Sequence, residues 1–200
     1  MNEQKVEIPG PNGILLEGLL GCGTTGRGVV VAHPHPLYGG DMTNNVVEAI
    51  AGVYQKKGHS TLRFNFRGVG ASTGDYDDGI GEQADLVAAF QFLREKGLSS
   101  VDLAGYSFGA WVIAKATDKI PAEKIILVSP PVGMMPFEAL SMLNLKLTVT
   151  GSRDDFAPVE KVKELTAAWN PLAAFEIITG ADHFYFGQTH RLSDILHKYI

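Results

Sequence analysis

Apolar and β-branched residues form short runs along the chain, and these runs alternate with longer segments in which apolar residues recur at helical spacing. Residues 28–32 are apolar on both faces, which is typical of a central strand in a parallel sheet. Residues 43–57 show helical spacing, and Gly58 follows as a stop signal. This alternation predicts an α/β fold with a mostly parallel sheet and helices on both faces.

The whole pattern predicts eight strands, of which the first two flank the turn-rich stretch 9–13 and form an antiparallel hairpin at the sheet edge. The strands are expected at residues 5–8, 14–20, 28–32, 60–66, 101–104, 124–129, 145–150 and 175–178. The helices are expected at residues 43–57, 81–96, 108–116, 159–169 and 189–199. No repeat or linker interrupts the pattern, so one domain over residues 1–200 is predicted.

Composition narrows the class of protein. The chain has 200 residues, 45% hydrophobic and 20% charged, which is typical of a soluble globular protein. A net charge of −5, with no run of Lys or Arg, argues against a nucleic-acid partner. The N-terminus lacks an apolar leader and no apolar run reaches ~18 residues, so a cytoplasmic protein without a membrane contact is expected. The single cysteine, Cys22, excludes an internal disulfide and a multi-cysteine metal site.

Two G-x-S-x-G sequences compete as a nucleophile elbow, in which a serine stands on a sharp turn between a strand and a helix. Ser107 follows a strand-like run and precedes an unbroken helical segment. Ser72 is followed by Thr73 and a series of Gly and Asp residues that favour turns. We therefore predict Ser107 as the nucleophile and Ser72 as a loop serine.

An acyl-transfer serine needs a base and an acid, which in this kind of fold follow it in the order Ser, acid, His on loops after strands. His183 follows the last predicted strand, whereas His190 and His197 lie on the terminal helix. We predict His183 as the base. The acid candidates are Asp154, its neighbour Asp155, and Asp182, although a residue adjacent to the base rarely reaches its Nδ1; these alternatives stay open on the residues alone.

Backbone N–H groups must stabilise the oxyanion of such a reaction. The amide of Phe108, directly after the nucleophile, is one expected donor. The second is expected from the loop after Ala32, where Pro34 and Pro36 have no N–H. His35 is favoured, with Leu37 and Tyr38 as the other donors available.

Two features of the sequence, a pair of histidines and an acidic loop, could instead indicate a metal site. His33 and His35 could ligate a metal, but nothing else in the chain has ligand spacing. The acidic loop with Asp75, Asp77 and Asp78 lacks the spacing and the closing Glu of a calcium loop. No metal and no cofactor are predicted.

With these residues located, the chain resembles the α/β-hydrolase superfamily over its whole length, and within it the small capless bacterial hydrolases similar to dienelactone hydrolase and to predicted esterases. The matching segments are residues 33–40, 44–45, 67–72 and 105–109, Asp154, and residues 180–184. The resemblance implies a triad of Ser107, Asp154 and His183, and Pro158 fits the spacing expected after the catalytic Asp. Dienelactone hydrolases carry Cys where this chain has Ser107, so their substrate does not transfer.

The resemblance also locates the substrate site. The connection 130–144 is too short for a cap domain, and its residues Met134, Met135 and Phe137 are expected either to line an open acyl pocket or to pack against the core in a short helix. Leu37, Tyr38 and Met134 are predicted to contact substrate. Arg67 has no assigned role beyond anchoring the loop beside the active site.

The predicted function is hydrolysis of small carboxylic esters or thioesters through an acyl-serine intermediate, with a small-molecule acyl substrate as the partner. Two alternatives stay open: a non-catalytic hydrolase-fold binding protein, and a peptidase or acyltransferase that uses the same triad. Assembly as a homodimer is left open as well.

Overall fold

A computed structural model describes residues 3–137 and 141–200. Residues 1–2, which belong to the N-terminal stretch considered above, and residues 138–140, which belong to the predicted short connection 130–144, lie outside the described residues. The strands are β1 Glu3–Pro9, β2 Leu15–Gly21, β3 Arg27–Ala32, β4 Ser60–Phe64, β5 Ser100–Tyr106, β6 Ile125–Val128, β7 Leu145–Gly151 and β8 Ala174–Ile178. The helices are α1 Asn45–Lys56, α2 Ile80–Glu95, α3 Phe108–Ala116, α4 Val159–Trp169 and α5 Thr189–Tyr199.

The eight strands form one sheet in the order β1-β2-β4-β3-β5-β6-β7-β8. The pairs β1/β2 and β2/β4 are antiparallel, and every pair from β4 to β8 is parallel. The predicted α/β fold, with a mostly parallel eight-stranded sheet and an early antiparallel hairpin at one edge, is confirmed. No cap domain is present in the described part of the chain, because β6 runs into β7 through residues 129–144 alone.

Two apolar clusters cover the two faces of the sheet. Along β3, Val30 faces a cluster with residues of α2, α3 and α4, whereas Val29 and Val31 face a cluster with residues of α1 and α5. This period-two alternation explains why the strand is apolar on both faces. None of the helices in residues 3–137 and 141–200 combines the length and the apolar character needed to cross a membrane.

The carboxyl ends of β4 and β5 each differ from the sequence prediction by two residues, whereas those of the other strands agree with it to within one. β4 ends at Phe64 rather than at Phe66: the N–H of Asn65 still donates to the carbonyl of Glu17 on β2, but that of Phe66 leaves the ladder and donates to His33 Nε2. β5 continues two residues beyond its predicted end, since Gly105 and Tyr106 still pair with the neighbouring strands. Both differences lie at the carboxyl edge of the sheet, where ligand sites of α/β sheets occur.

Candidate active site

The turn between β5 and α3 holds Ser107 in a backbone conformation that L-residues rarely adopt, with φ 53° and ψ −118°. Such a conformation costs on the order of 1–3 kcal/mol and persists only where the surrounding structure enforces it. Close packing provides this constraint. A Cβ added at Gly105 would lie 2.6 Å from the backbone of Gly109, and one added at Gly109 would lie 2.4 Å from the carbonyl oxygen of Ala32. Both glycines of the elbow are therefore required by space.

Three side chains that follow three different strands meet at this turn. Ser107 follows β5, Asp154 follows β7, and His183 follows β8. His183 Nε2 lies 2.9 Å from Ser107 Oγ, and His183 Nδ1 lies 2.9 and 3.0 Å from the two carboxylate oxygens of Asp154. All three residues are buried. The structure thus brings together the serine, the imidazole and the carboxylate that the sequence singled out.

The carboxylate of Asp154 is held in its charged form. Burial alone would raise its pKa, but hydrogen bonds from His183, Ser129 and the Ala157 amide, together with the charge interaction with His183, lower the pKa below its usual value. An ionised carboxylate only accepts hydrogen bonds, so Nδ1 of His183 carries the proton and Nε2 is left to accept from the serine hydroxyl. This arrangement is chemically able to activate a serine as a nucleophile.

The competing acid and base candidates lie elsewhere. Asp155 is exposed, and Asp182 is exposed with its Oδ1 accepting from the amides of Phe184 and Tyr185. His190 and His197 are exposed on α5. None of these four side chains has a hydrogen bond to His183 or Ser107 among the bonds of the described residues.

Two short segments contact each other over the start of α3 and present the predicted oxyanion donors. The N–H of Phe108 opens α3, where the first helical amides have no partner within the helix. In the neighbouring loop, the Leu37 amide donates to His35 Nδ1 and the Tyr38 amide donates to the His35 carbonyl. The ring centroids of His35 and Phe108 are 4.7 Å apart. Of the three candidate amides in this described loop, those of Leu37 and Tyr38 donate hydrogen bonds within the turn and that of His35 does not.

A cavity of about 680 Å³ opens above Ser107. Its lining consists of Pro34, His35, Tyr38, Gly39, Gly40, Asn44, Tyr106, Ser107, Phe108, Pro131, Met134, Met135, Phe156, His183 and Phe184. Tyr38 and Met134, both predicted to contact substrate, line the cavity. Leu37 does not, because its one-turn 3-10 helix leaves the side chain 67% exposed outside the lining. Met135 lines the cavity and also packs against the core cluster, whereas Phe137 packs against the core cluster without lining the cavity. Residues 130–137 form turns rather than the short helix considered for this segment.

Three further residues support the site and were not found from the sequence. The hydroxyl of Tyr106 donates to the carbonyl of His183 over 2.7 Å. The hydroxyls of Ser129 and Tyr185 lie 2.7 Å apart, both fully buried, and Ser129 also hydrogen-bonds Asp154. Tyr106 lies inside the elbow and could have been suspected from that position. Ser129 and Tyr185 carry no local signal, because only the fold brings them to Asp154.

The ring of His33 is fully occupied by protein contacts. Its Nε2 accepts from the Phe66 amide at 3.0 Å, and its Nδ1 lies 2.6 Å from the carbonyl oxygen of Pro34. Burial lowers the pKa of His33 to about 4, so the ring is neutral near pH 7. Nδ1 of the neighbouring His35 likewise accepts from the Leu37 amide. Within residues 3–137 and 141–200, no three His, Cys, Asp or Glu side chains are grouped as metal ligands would be.

Ser72, in the second G-x-S-x-G sequence, holds a loop in place through its hydroxyl group. Its hydroxyl donates to the Asn65 carbonyl at 2.8 Å and accepts from the Glu17 amide at 2.9 Å, which ties the loop after β4 to β2. Arg67 binds Asp85 on α2 through both its backbone amide and its guanidinium. This pairing explains the loop-anchoring role considered for Arg67, and its partner could not be identified from sequence spacing.

Solved structures and a curated relative resemble the chain over nearly its full length. An α/β serine hydrolase homologue from Coxiella burnetii is 35% identical, with 99% of this chain and 97% of that chain covered and a TM-score of 0.90. An α/β serine hydrolase without a lid from Xanthomonas campestris is 27% identical, with 99% and 93% covered and a TM-score of 0.91. An uncharacterized protein of Rickettsia prowazekii is 32% identical, over 98% of this chain and 88% of its own length. No protein-family model matches the sequence.

Proposed function

The chain belongs to the α/β-hydrolase superfamily, and from this membership we propose that it hydrolyses small carboxylic esters or thioesters through an acyl-serine intermediate. The observation that carries the proposal is the continuous hydrogen-bonded series from Ser107 through His183 to Asp154 beneath an open cavity. The order of the three residues along the chain is also that of hydrolases of this fold.

In the proposed reaction, Ser107 Oγ attacks the carbonyl carbon while His183 Nε2 takes the hydroxyl proton. The tetrahedral intermediate collapses as His183 returns this proton to the leaving oxygen or sulfur, which departs and leaves the acyl group on Ser107. Water then repeats the attack with His183 as the base, which releases the acid and restores the serine. Asp154 keeps the Nδ1 proton in place and stabilises the imidazolium that forms in each step.

The amides of Phe108 and His35 are the proposed oxyanion donors. Both belong to backbone fixed before substrate arrives, one at the start of α3 and one in the loop packed against it. Preorganised donors of this kind contribute about 3–4 kcal/mol each to lowering the barrier. Small substrates are favoured, since the cavity is open and no cap domain adds apolar wall in the described part of the chain.

Fluorophosphonate labelling followed by mass-spectrometric mapping tests the proposal, because only an activated serine reacts. We expect the label on Ser107 and none on Ser72. Replacing the nucleophile in Ser107→Ala should abolish labelling and lower kcat for a short acyl ester by roughly 10⁴-fold or more.

The matched control is Ser72→Ala, which alters the other G-x-S-x-G serine and should keep its label on Ser107. Near-normal turnover by a folded Ser107→Ala variant, or the absence of both labelling and turnover in the unaltered protein, would refute the proposed function.

A further inference from the structure

The cavity above Ser107 is lined without a single Lys, Arg, Asp or Glu among the described residues. Its walls are formed largely by Pro, Met and aromatic side chains, and its polar groups are those around Ser107 and His183 together with Asn44 and Tyr38. A charged substrate group in such a cavity would lose its hydration without gaining a partner of opposite charge. The lining therefore favours uncharged groups.

Three carboxylates act on residues in or directly behind this neutral lining. The negative charge of Asp78 acts on His35, that of Asp41 acts on His33, and that of Asp182 acts on Tyr106. The nearby cation Arg67 is already paired with Asp85 and lies 3.8 Å from Asp77. Arg153, beside Asp154, is exposed and adjoins the exposed Asp155. Among these described side chains the carboxylates outnumber the unpaired cations, which disfavours the approach of an anionic substrate.

Two neighbouring aromatic rings lie beside the imidazole that protonates the leaving group. The ring centroid of Phe156 lies 4.7 Å from that of His183, and the centroid of Phe184 lies 5.7 Å from it, with Phe156 and Phe184 6.4 Å apart. Both rings line the cavity, and Phe184 is 50% exposed. A leaving oxygen within reach of His183 Nε2 places its substituent beside these rings.

From these observations we propose, resting on the proposed function, that the site takes esters whose alcohol part is an uncharged aromatic or flat apolar group held by Phe156 and Phe184, and that it rejects esters carrying a carboxylate or phosphate there. The rings supply contact area that a small aliphatic alcohol cannot fill. The carboxylates around the cavity supply the discrimination against anions, which falls as salt screens them.

A matched series of acetate esters tests both parts. Benzyl acetate and methyl acetate release alcohols of similar acidity but differ in the ring. The pair 4-carbamoylbenzyl acetate and 4-carboxybenzyl acetate share a shape and differ in charge. We expect kcat/KM to be roughly tenfold or more higher for benzyl than for methyl acetate, which is the range that pocket contacts provide. The neutral amide should exceed the carboxylate ester by a similar factor, and this second ratio should shrink at high salt.

Substitutions at Phe184 and Asp182 test whether these residues determine the two kcat/KM ratios. Phe184→Ala should lower the benzyl-to-methyl ratio several-fold, whereas Leu172→Ala, which shortens a 90% exposed side chain outside the lining, should leave it unchanged. Asp182→Asn should narrow the amide-to-carboxylate ratio, because Asn keeps the oxygen that accepts from Phe184 and Tyr185 but loses the charge. Asp118→Asn makes the same change just beyond the carboxyl end of α3, the end opposite Ser107, and should leave the amide-to-carboxylate ratio unchanged.

Equal kcat/KM values for the two members of each pair, or a higher value for the carboxylate ester, would overturn the proposed specificity. The hydrolase function would still stand. A Phe184→Ala variant with an unchanged benzyl-to-methyl ratio would overturn the role of the ring. Failure of all four esters together with absent fluorophosphonate labelling would overturn the proposed function and the specificity with it.

Discussion

At the scale of single residues, two buried hydroxyl groups, those of Ser129 and Tyr185, lie behind the carboxylate of Asp154. Asp154 has a lowered pKa, despite a burial effect that would raise it, and therefore only accepts. The Ser129 hydroxyl interacts with Asp154 and lowers its pKa, and the Tyr185 hydroxyl lies 2.7 Å from that of Ser129. Ser129 itself has a φ of 45°, in the left-handed region that residues other than glycine rarely adopt. Ser129 and Tyr185 thus act as positioning residues through Asp154.

Ser129→Ala is predicted to shift the acid limb of the kcat/KM profile to higher pH. Without this donor the pKa of Asp154 rises, and the Asp154–His183 pair retains its proton more strongly. A hydrogen bond to a charged group is worth about 1.5–3 kcal/mol, but the carboxylate is charged on both sides of the imidazole titration, so the shift should be only a fraction of a pH unit. Tyr185→Phe should give a smaller shift in the same direction.

The control for this prediction is Ser193→Ala, which removes a hydroxyl that bonds only the Thr189 carbonyl on α5. Its pH profile should match that of the unaltered protein. An unchanged acid limb in a folded Ser129→Ala variant would contradict this role of Ser129.

A site residue can be found from the sequence when its immediate neighbours in the chain mark it. Ser107 is marked by its own flanking glycines, and His183 and Asp154 by their positions directly after strands. Asp154 could not be separated from Asp155 on the residues alone, because which of two adjacent side chains faces inward depends on the turn that follows. In the structure the amides of Phe156 and Ala157 fix this turn by donating to Asp154.

At the scale of elements, the crossing of β5 and α3 depends on contact between backbones. Gly109→Ala is predicted to lower the free energy of unfolding by roughly 2 kcal/mol or more, since its Cβ would meet the carbonyl oxygens of Ala32 and His33 at 2.4 and 2.8 Å. The displaced backbone carries the proposed oxyanion donors, so kcat should also fall. Urea unfolding and initial rates measure the two effects.

The matched control is Gly52→Ala within α1, where an added Cβ has nothing within 4 Å. The same change there should stabilise the protein by about 0.5–1 kcal/mol, because alanine favours a helix interior over glycine. Equal effects of the two substitutions would contradict the packing argument.

Helices were easier to predict than strand ends. The helices α3, α4 and α5 begin and end where their apolar spacing and flanking residues place them. The end of β4 was predicted wrongly, because the partner of the Phe66 amide is a histidine ring 33 residues away in sequence. Hydrogen bonds within a helix are local, whereas a strand ends where its neighbours stop pairing with it.

At the scale of the whole molecule, neutral buried histidine makes stability depend on pH. Burial lowers the pKa of His33 from 6.5 to about 4, and burial also lowers the pKa of His35 and His59. Between the unfolded and folded values the unfolded chain binds protons that the native protein does not, so acid favours unfolding. Burial raises the pKa of Asp102, so the native protein binds a proton there more readily than the unfolded chain does. At lower pH this group therefore increases the free energy of unfolding, opposite to the histidines. The lowered pKa of Asp154 adds stability that is lost only in the acid range below about 4.

We predict that His33 alone lowers the free energy of unfolding by about 2 kcal/mol between pH 7 and pH 5. Urea unfolding at both pH values measures the slope, and His33→Asn, which keeps a donor and an acceptor but does not titrate, should reduce it. Because the comparison is of slopes, a uniform loss of stability in the variant does not affect it. Equal slopes in the two proteins would contradict a neutral, buried His33.

The side chains of the proposed triad follow β5, β7 and β8, and β8 is an edge strand of the sheet. Turnover therefore has to wait until the edge strand has docked, however early the centre of the sheet collapses during refolding. Recovery of activity after dilution from denaturant then reports the last stage of assembly, which a fluorescence signal from the interior would miss.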